Sequence, residues 1–166
     1  NGYLWAEHRI LADKRFPYVE STEVPFLVRW PGHVAAGATS PRLVAQIDLL
    51  PTALDVAGLS PTLTYPLDGQ SIMSAPTRAE AYQEYFKSAD SQLGPWASLR
   101  GESWQYVEWY DVATGAITFR EYYNLAADPY QLTNLLGDTS TDNDPAVRPL
   151  HRRLKAARTC VGTTCP

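Results

Sequence analysis

Trp104-Gln-Tyr-Val-Glu-Trp-Tyr110, Asp111-Val-Ala-Thr-Gly115 and, after Ala116, Ile117-Thr-Phe-Arg-Glu-Tyr-Tyr-Asn124 form the stretch that decides the fold of the second half of this chain. Two runs rich in aromatic and β-branched residues, each of strand length, flank a short polar connection ending in glycine. That is the pattern of a β-hairpin. Working outward, Ala81-Tyr-Gln-Glu-Tyr-Phe86 and Trp96 to Arg100 carry the same signal. Val147 to Arg158 then changes period, with Leu150, Leu154 and Ala157 on one face of a short helix. Residues 79–166 therefore read as a small antiparallel sheet of about four strands with a closing C-terminal helix. Trp96, Trp104 and Trp109 invite a carbohydrate-platform reading, but aromatics at strand spacing more simply pack a sheet against a helix.

The first part of the chain is written differently. Val24-Pro-Phe-Leu-Val-Arg-Trp30, bounded by Pro31-Gly32, predicts a buried strand, and Val44 to Ile47 is a second short apolar stretch. Asp48 suits a helix N-cap, Pro51 falls in the first turn where its missing N–H is harmless, and Gly58 is a natural stop. Leu50, Ala53, Leu54 and Ala57 make one apolar stripe between them. Residues 59–78 are rich in Pro, Ser and Thr and read as a surface connection. We expect late elements of an α/β core over residues 1–78 and a separate antiparallel-sheet subdomain over 79–166.

Bulk properties exclude several classes. At 166 residues, 45% hydrophobic and 19% charged, the chain has the composition of a packed domain rather than a disordered one. The net charge of −4 and the lack of a continuous basic block give no reason to expect a nucleic-acid partner. No apolar run reaches membrane-spanning length. Cys160 and Cys165, five positions apart, fit neither a zinc spacing nor a Cys-x-x-Cys redox motif. They predict a small disulfide loop, contributing roughly 2 kcal/mol in the chain-entropy model, and hence a secreted or periplasmic location.

The segment Asn1-Gly-Tyr-Leu-Trp-Ala-Glu-His8 through Lys14 to Tyr18 resembles the sulfatase family just after its second metal-binding aspartate. Its Asn-to-Lys spacing is closest to the N-acetylglucosamine-6-sulfatase-like branch. Val24 to Gly32, Asp48 to Gly58, Asp68-Gly69-Gln-Ser71 and Asp128-Pro129 with Asn134-Leu135 resemble further sulfatase segments in the same order. The resemblance implies an alkaline-phosphatase-like α/β fold, of which this chain would be the C-terminal portion. The formylglycine nucleophile and most metal ligands would then lie in an N-terminal remainder, and the piece alone would be inactive.

The resemblance also assigns roles. Asn1 would ligate a divalent cation, calcium, through its side-chain oxygen. Lys14 would hold a sulfate oxygen and offset charge in the transition state. His8, in a family context that often reads Gly-Glu-His but here reads Ala6-Glu-His, would line the substrate pocket or help in proton transfer. Ser74-Ala-Pro76-Thr-Arg78 matches the nucleophile motif literally, but it lies downstream of the Lys14 segment and reads as coincidence. The implied substrate is a sulfated sugar, with an aryl sulfate as the other choice. A phosphodiesterase or phosphonate hydrolase of the same superfamily and a secreted carbohydrate-binding module are the competing expectations.

Overall fold

A computed structural model describes residues 2–59, 64–86 and 93–166 of the chain. Numbered in chain order, its helices are α1 (Val19–Thr22), α2 (Leu49–Val56) and α3 (Val147–Ala157). Its strands are β1 (Glu80–Tyr85), β2 (Trp96–Gly101), β3 (Trp104–Tyr110) and β4 (Ile117–Asn124). The four-stranded antiparallel sheet expected from the aromatic runs is present, and its strand order β1-β2-β3-β4 makes it a meander. In the β3–β4 connection the Asp111 carboxylate accepts the N–H groups of Ala113 and Thr114, at 3.1 and 2.8 Å. Past β4, Asn134 covers the sheet edge. Its side-chain oxygen accepts the Tyr122 N–H at 2.9 Å and its amide donates to the Arg120 carbonyl at 3.1 Å.

Alternation along the strands gives the sheet two different faces. On one, Ala97, Leu99, Tyr106 and Tyr110 pack against Leu150, Leu154 and Ala157 of α3. Leu99, Tyr106 and Leu154 are fully buried. Complete burial of one such side chain is worth about 1.5–3 kcal/mol. Glu108 is buried here too, accepting the hydroxyls of Tyr106 and Tyr110 at 2.6 and 2.7 Å, with His151 Nδ1 at 2.8 Å. His151, which reads in sequence as a plain surface residue, thus pins α3 to the sheet. The opposite face carries Gln105, Val107 and Glu121 and receives residues 15–19.

The first part of the chain departs from expectation in two ways. Val24–Trp30 is not a strand and pairs with no described segment; Leu27 is 92% exposed. A strand exists only through its ladder partners, and this segment pairs with neither edge strand of the sheet, β1 or β4. Helix α2 forms as expected but buries none of its residues, Leu50 being 52% exposed. Asp48 does not cap α2 with its side chain. Its buried carboxylate instead accepts the N–H groups of Ala45 and Gln70, at 2.8 and 2.9 Å, and pairs with the buried Arg78. Gly69 explains its own identity, because a Cβ there would lie 2.1 Å from the Ile47 carbonyl oxygen.

The disulfide between Cys160 and Cys165 is formed, with the Cα atoms 5.0 Å apart. It closes the tail against the first part of the chain. The Gly162 N–H donates to Asp68 at 2.7 Å, and Arg78 donates to the Pro166 carbonyl at 2.8 Å.

Candidate functional site

The segment from Gly2 to Lys14 is a closed loop. Leu4, fully buried, and Asp13 form an antiparallel bridge, with N–H to carbonyl distances of 2.7 and 3.3 Å in the two directions. Its two ends therefore leave side by side, bringing the residues after Asn1 next to Lys14. Gly2 packs on the α1 turn so closely that a Cβ would lie 2.0 Å from the Glu20 carbonyl oxygen. Only glycine fits there. Asn1, the expected metal ligand, lies outside the described residues.

At the tip of the loop, Ala6, His8 and Arg9 hold φ of 85°, 52° and 60°. Left-handed backbone at a non-glycine residue costs of order 1 kcal/mol, and such outliers gather at functional sites. Ala6 stands where the family resemblance has glycine, and its positive φ is the conformation glycine would adopt freely. The His8 ring stacks on Tyr18 at a centroid separation of 3.9 Å. His8 Nε2 faces Glu20 Oε2 at 3.4 Å, and neither buried atom makes a hydrogen bond.

Lys14 lies on the outgoing strand of this loop and is exposed. Asp13 does not neutralise it. That carboxylate is engaged by the Arg15 guanidinium at 2.6 Å, which holds its pKa down at about 2. The Lys14 ammonium thus meets no carboxylate among the described residues, which suits a group intended for an external anion.

The sheet fixes the position of Lys14 through alternate backbone groups. Trp96 Nε1 donates to the Arg15 carbonyl at 2.7 Å, and Gln105 donates to the Pro17 carbonyl at 2.8 Å. The Val19 N–H donates to Gln131 at 2.7 Å, and Gln131 donates to Gln105 at 2.7 Å. Tyr18 is held by its hydroxyl, which donates to Glu121 at 3.0 Å. Burial, reinforced by the Glu121 carboxylate, pushes the Tyr18 hydroxyl far above the ordinary tyrosine range, so it remains a donor. Glu121 is 96% buried, with relative exposure of 4%, and also accepts Trp109 Nε1 and the Tyr123 hydroxyl, each at 2.7 Å.

Gln105, Glu121 and Gln131 are therefore supporting residues that motif reading passes over. Their only sequence signal is polarity at strand or turn positions that should be apolar or solvated. The Ser74-to-Arg78 coincidence has a structural account as well. Ser74 donates to Asp55 at 2.7 Å, and Arg78 ties Asp48 to the tail. A surface cavity of about 560 Å³ beside α2 is lined by Leu54, Asp55, Tyr65, Ser71, Ser74 and Gly162, and by no residue of the 2–20 loop. Among the described residues no group of three or more His, Cys, Asp or Glu side chains could hold a metal ion.

Residues 6–159 match the family described as N-sulphoglucosamine sulphohydrolase, C-terminal. The N-acetylglucosamine-6-sulfatase of Bos taurus is 31% identical over 99% of this chain and 34% of its own length. The N-acetylglucosamine-6-O-sulfatase of Bacteroides thetaiotaomicron is 28% identical over 82% of this chain and 25% of its own length. A solved structure, BT4656 in complex with its substrate D-glucosamine-2-N,6-O-disulfate, superposes with a TM-score of 0.77 at 25% identity. It covers 92% of this chain and 31% of that one. The chain spans between a quarter and about a third of the length of these relatives.

Proposed function

Because the chain belongs to the N-sulphoglucosamine sulphohydrolase C-terminal family, we propose that it forms part of an enzyme hydrolysing sulfate esters of amino sugars. The observation carrying this reading is the 2–20 loop. It holds an exposed, unneutralised Lys14 and a strained, stacked His8 on one short closed segment, braced by the sheet. Relatives named for 6-sulfated N-acetylglucosamine, and a neighbour bound to a glucosamine disulfate, support a sulfated sugar as substrate.

In this reading Lys14 binds a sulfate oxygen and stabilises negative charge as it builds in the transition state. His8 lines the sugar side of the pocket, its ring set by Tyr18 and its Nε2 by the facing Glu20. The nucleophile, a formylglycine, and the cation, calcium, belong to the wider enzyme, with Asn1 supplying one neutral oxygen ligand. When present, that cation would polarise the sulfate oxygens. The disulfide supports an extracytoplasmic, secreted or periplasmic setting. The chain divides near residue 78 into late elements of the α/β core and the antiparallel-sheet subdomain.

The test is Lys14→Ala in the full-length enzyme, assayed on glucosamine 6-sulfate and on the corresponding phosphate ester. Loss of one transition-state donor should lower kcat/KM for the sulfate by about 10²–10³. Wild-type turnover of the phosphate ester alone would move the assignment to phosphate-ester chemistry. Sulfatase activity unchanged by the substitution would remove Lys14 from the site.

A further inference from the structure

We propose that the solvent face of α3 is a docking ridge for a sulfated polysaccharide, remote from the catalytic loop and separate from it. The proposal rests on the sulfated-sugar reading above for the identity of its ligand, but not for the existence of the ridge.

The charge of the chain is unevenly placed. Arg148, Arg152, Arg153, Lys155 and Arg158 all lie within residues 145–166, which contain no Asp or Glu. Residues 1–144 hold the other nine Lys and Arg against all 18 carboxylates. The overall charge of −4 hides a wholly cationic tail.

Three of these cations share one line. Arg148, Arg152 and Lys155 are spaced four and three residues apart, opposite the buried Leu150, Leu154 and Ala157, and all three are exposed. At 1.5 Å per residue the row extends about 10 Å along the helix. Among the described residues none of the three has a hydrogen-bond or ion-pair partner. The flanking pair is set differently. Arg153 lies 5.3 Å from the Trp104 ring centroid and 3.4 Å from Glu80, and Arg158 lies 4.4 Å over the Tyr110 ring. Stacking restricts their motion, and Arg153 is in addition paired with Glu80.

An ordinary solvated helix face mixes both signs, because like charges at these spacings oppose the helix. This helix goes further against its own electrostatics. It has no acidic residue in its first turn, places Arg148 there instead, and lacks a side-chain N-cap. Local choices that oppose the element they sit on are characteristic of functional surfaces. Guanidinium groups pair with planar or tetrahedral oxyanions through paired N–H bonds, which fits sulfate esters carried on a polymer. The ridge and the 2–20 loop lie against opposite faces of the sheet, so only an extended anionic chain could engage both.

The experiment uses the full-length enzyme and its R148A/R152A/K155A variant, since alanine preserves helix propensity. Retention on immobilised heparin is measured against NaCl, alongside kcat/KM for a sulfated monosaccharide and for the heparin chain. We expect earlier elution and a log–log salt slope reduced by about 2–3. We also expect a 5- to 10-fold lower kcat/KM on the polymer, through KM, with monosaccharide turnover unchanged. An R148K/R152K variant, which keeps the charge but not the paired N–H donors, should elute later than the triple variant; elution no later than the triple variant would point to structural damage and overturn the proposal. Unchanged retention of the triple variant would overturn it too, as would wild-type binding to duplex DNA as tight as to heparin. If the wild type turns over no sulfated monosaccharide, the catalytic reading fails while heparin retention still decides the ridge.

Discussion

Leu154 and Leu50 sit on two amphipathic helices of the same chain and meet opposite fates. Leu154, on α3, is fully buried against Leu99 and Tyr106, whereas Leu50, on α2, is 52% exposed. The same contrast runs through the two regions. Residues 80–157 close a core between a sheet and a helix, while residues 24–59 leave Phe26, Leu27, Val28 and Leu50 in the open. An apolar stripe states what an element can bury, not what will bury it. The sheet region contains both partners of its core. The earlier region presents apolar side chains that nothing among the described residues covers.

The sharpest test of this contrast compares two truncations of equal chemistry. Leu154→Ala in the 166-residue chain should cost about 3 kcal/mol by urea denaturation, from lost burial and the cavity left behind. Leu50→Ala should cost under about 0.5 kcal/mol in the same chain. A comparable loss at both positions would mean that α2 finds a partner in solution, and the contrast between regions would collapse.

The disulfide tail is where the two regions are tied together. Replacing Cys160 and Cys165 by serine should cost roughly 2 kcal/mol. Amide exchange should rise around Asp68–Ser71, because the Gly162 contact to Asp68 is lost, while exchange in β2 and β3 stays slow. Uniform loss of protection throughout the sheet would instead show that the two regions unfold as one unit.

A smaller effect should come from the contact between the candidate loop and the sheet. Tyr18→Phe keeps the ring under His8 but removes one of the three donors to Glu121, at a cost of about 1 kcal/mol. In the full-length enzyme its effect on kcat/KM should vanish in a His8→Ala background. Additive effects would show that Tyr18 acts independently of His8.

The smallest effect is electrostatic. The folded-state pKa of Asp13 is depressed to about 2 by Arg15, below its value in the unfolded chain. Its contribution is therefore fully present above about pH 4 and is lost as pH falls toward 2. The stability difference between the wild type and Asp13→Asn should shrink between pH 5 and pH 2.5. A difference independent of pH would show that the Asp13–Arg15 pair contributes nothing through charge.

Much of the fold was legible, and the reason is local. The strand runs from Trp96 to Asn124 carry their signal in consecutive residues, and their partners are neighbours in sequence through short connections. Helix α3 declared its buried face through Leu150, Leu154 and Ala157. Val24–Trp30 misled for the converse reason: its composition suits a buried strand, but pairing is a property of two segments, and no described segment pairs with it. Asp48 misled similarly, since a carboxylate before a helix can cap it or turn to a distant cation, and Arg78 lies 30 residues away.

The candidate site divides along the same line. Lys14 and His8 were singled out by an ordered motif within one short segment. Gln105, Glu121 and Gln131 were not, because each acts on residues 17–19 from about 90 to 110 positions away. Sequence alone determined the elements whose interactions are local in the chain: the antiparallel strands, the closing helix, the short disulfide loop and the motif bearing Lys14. Only the tertiary structure decided which apolar faces are covered, where Asp48 turns, and how buried polar side chains of the sheet hold the 15–19 segment. Those outcomes depend on contacts between distant segments, whose geometry no local run of residues encodes.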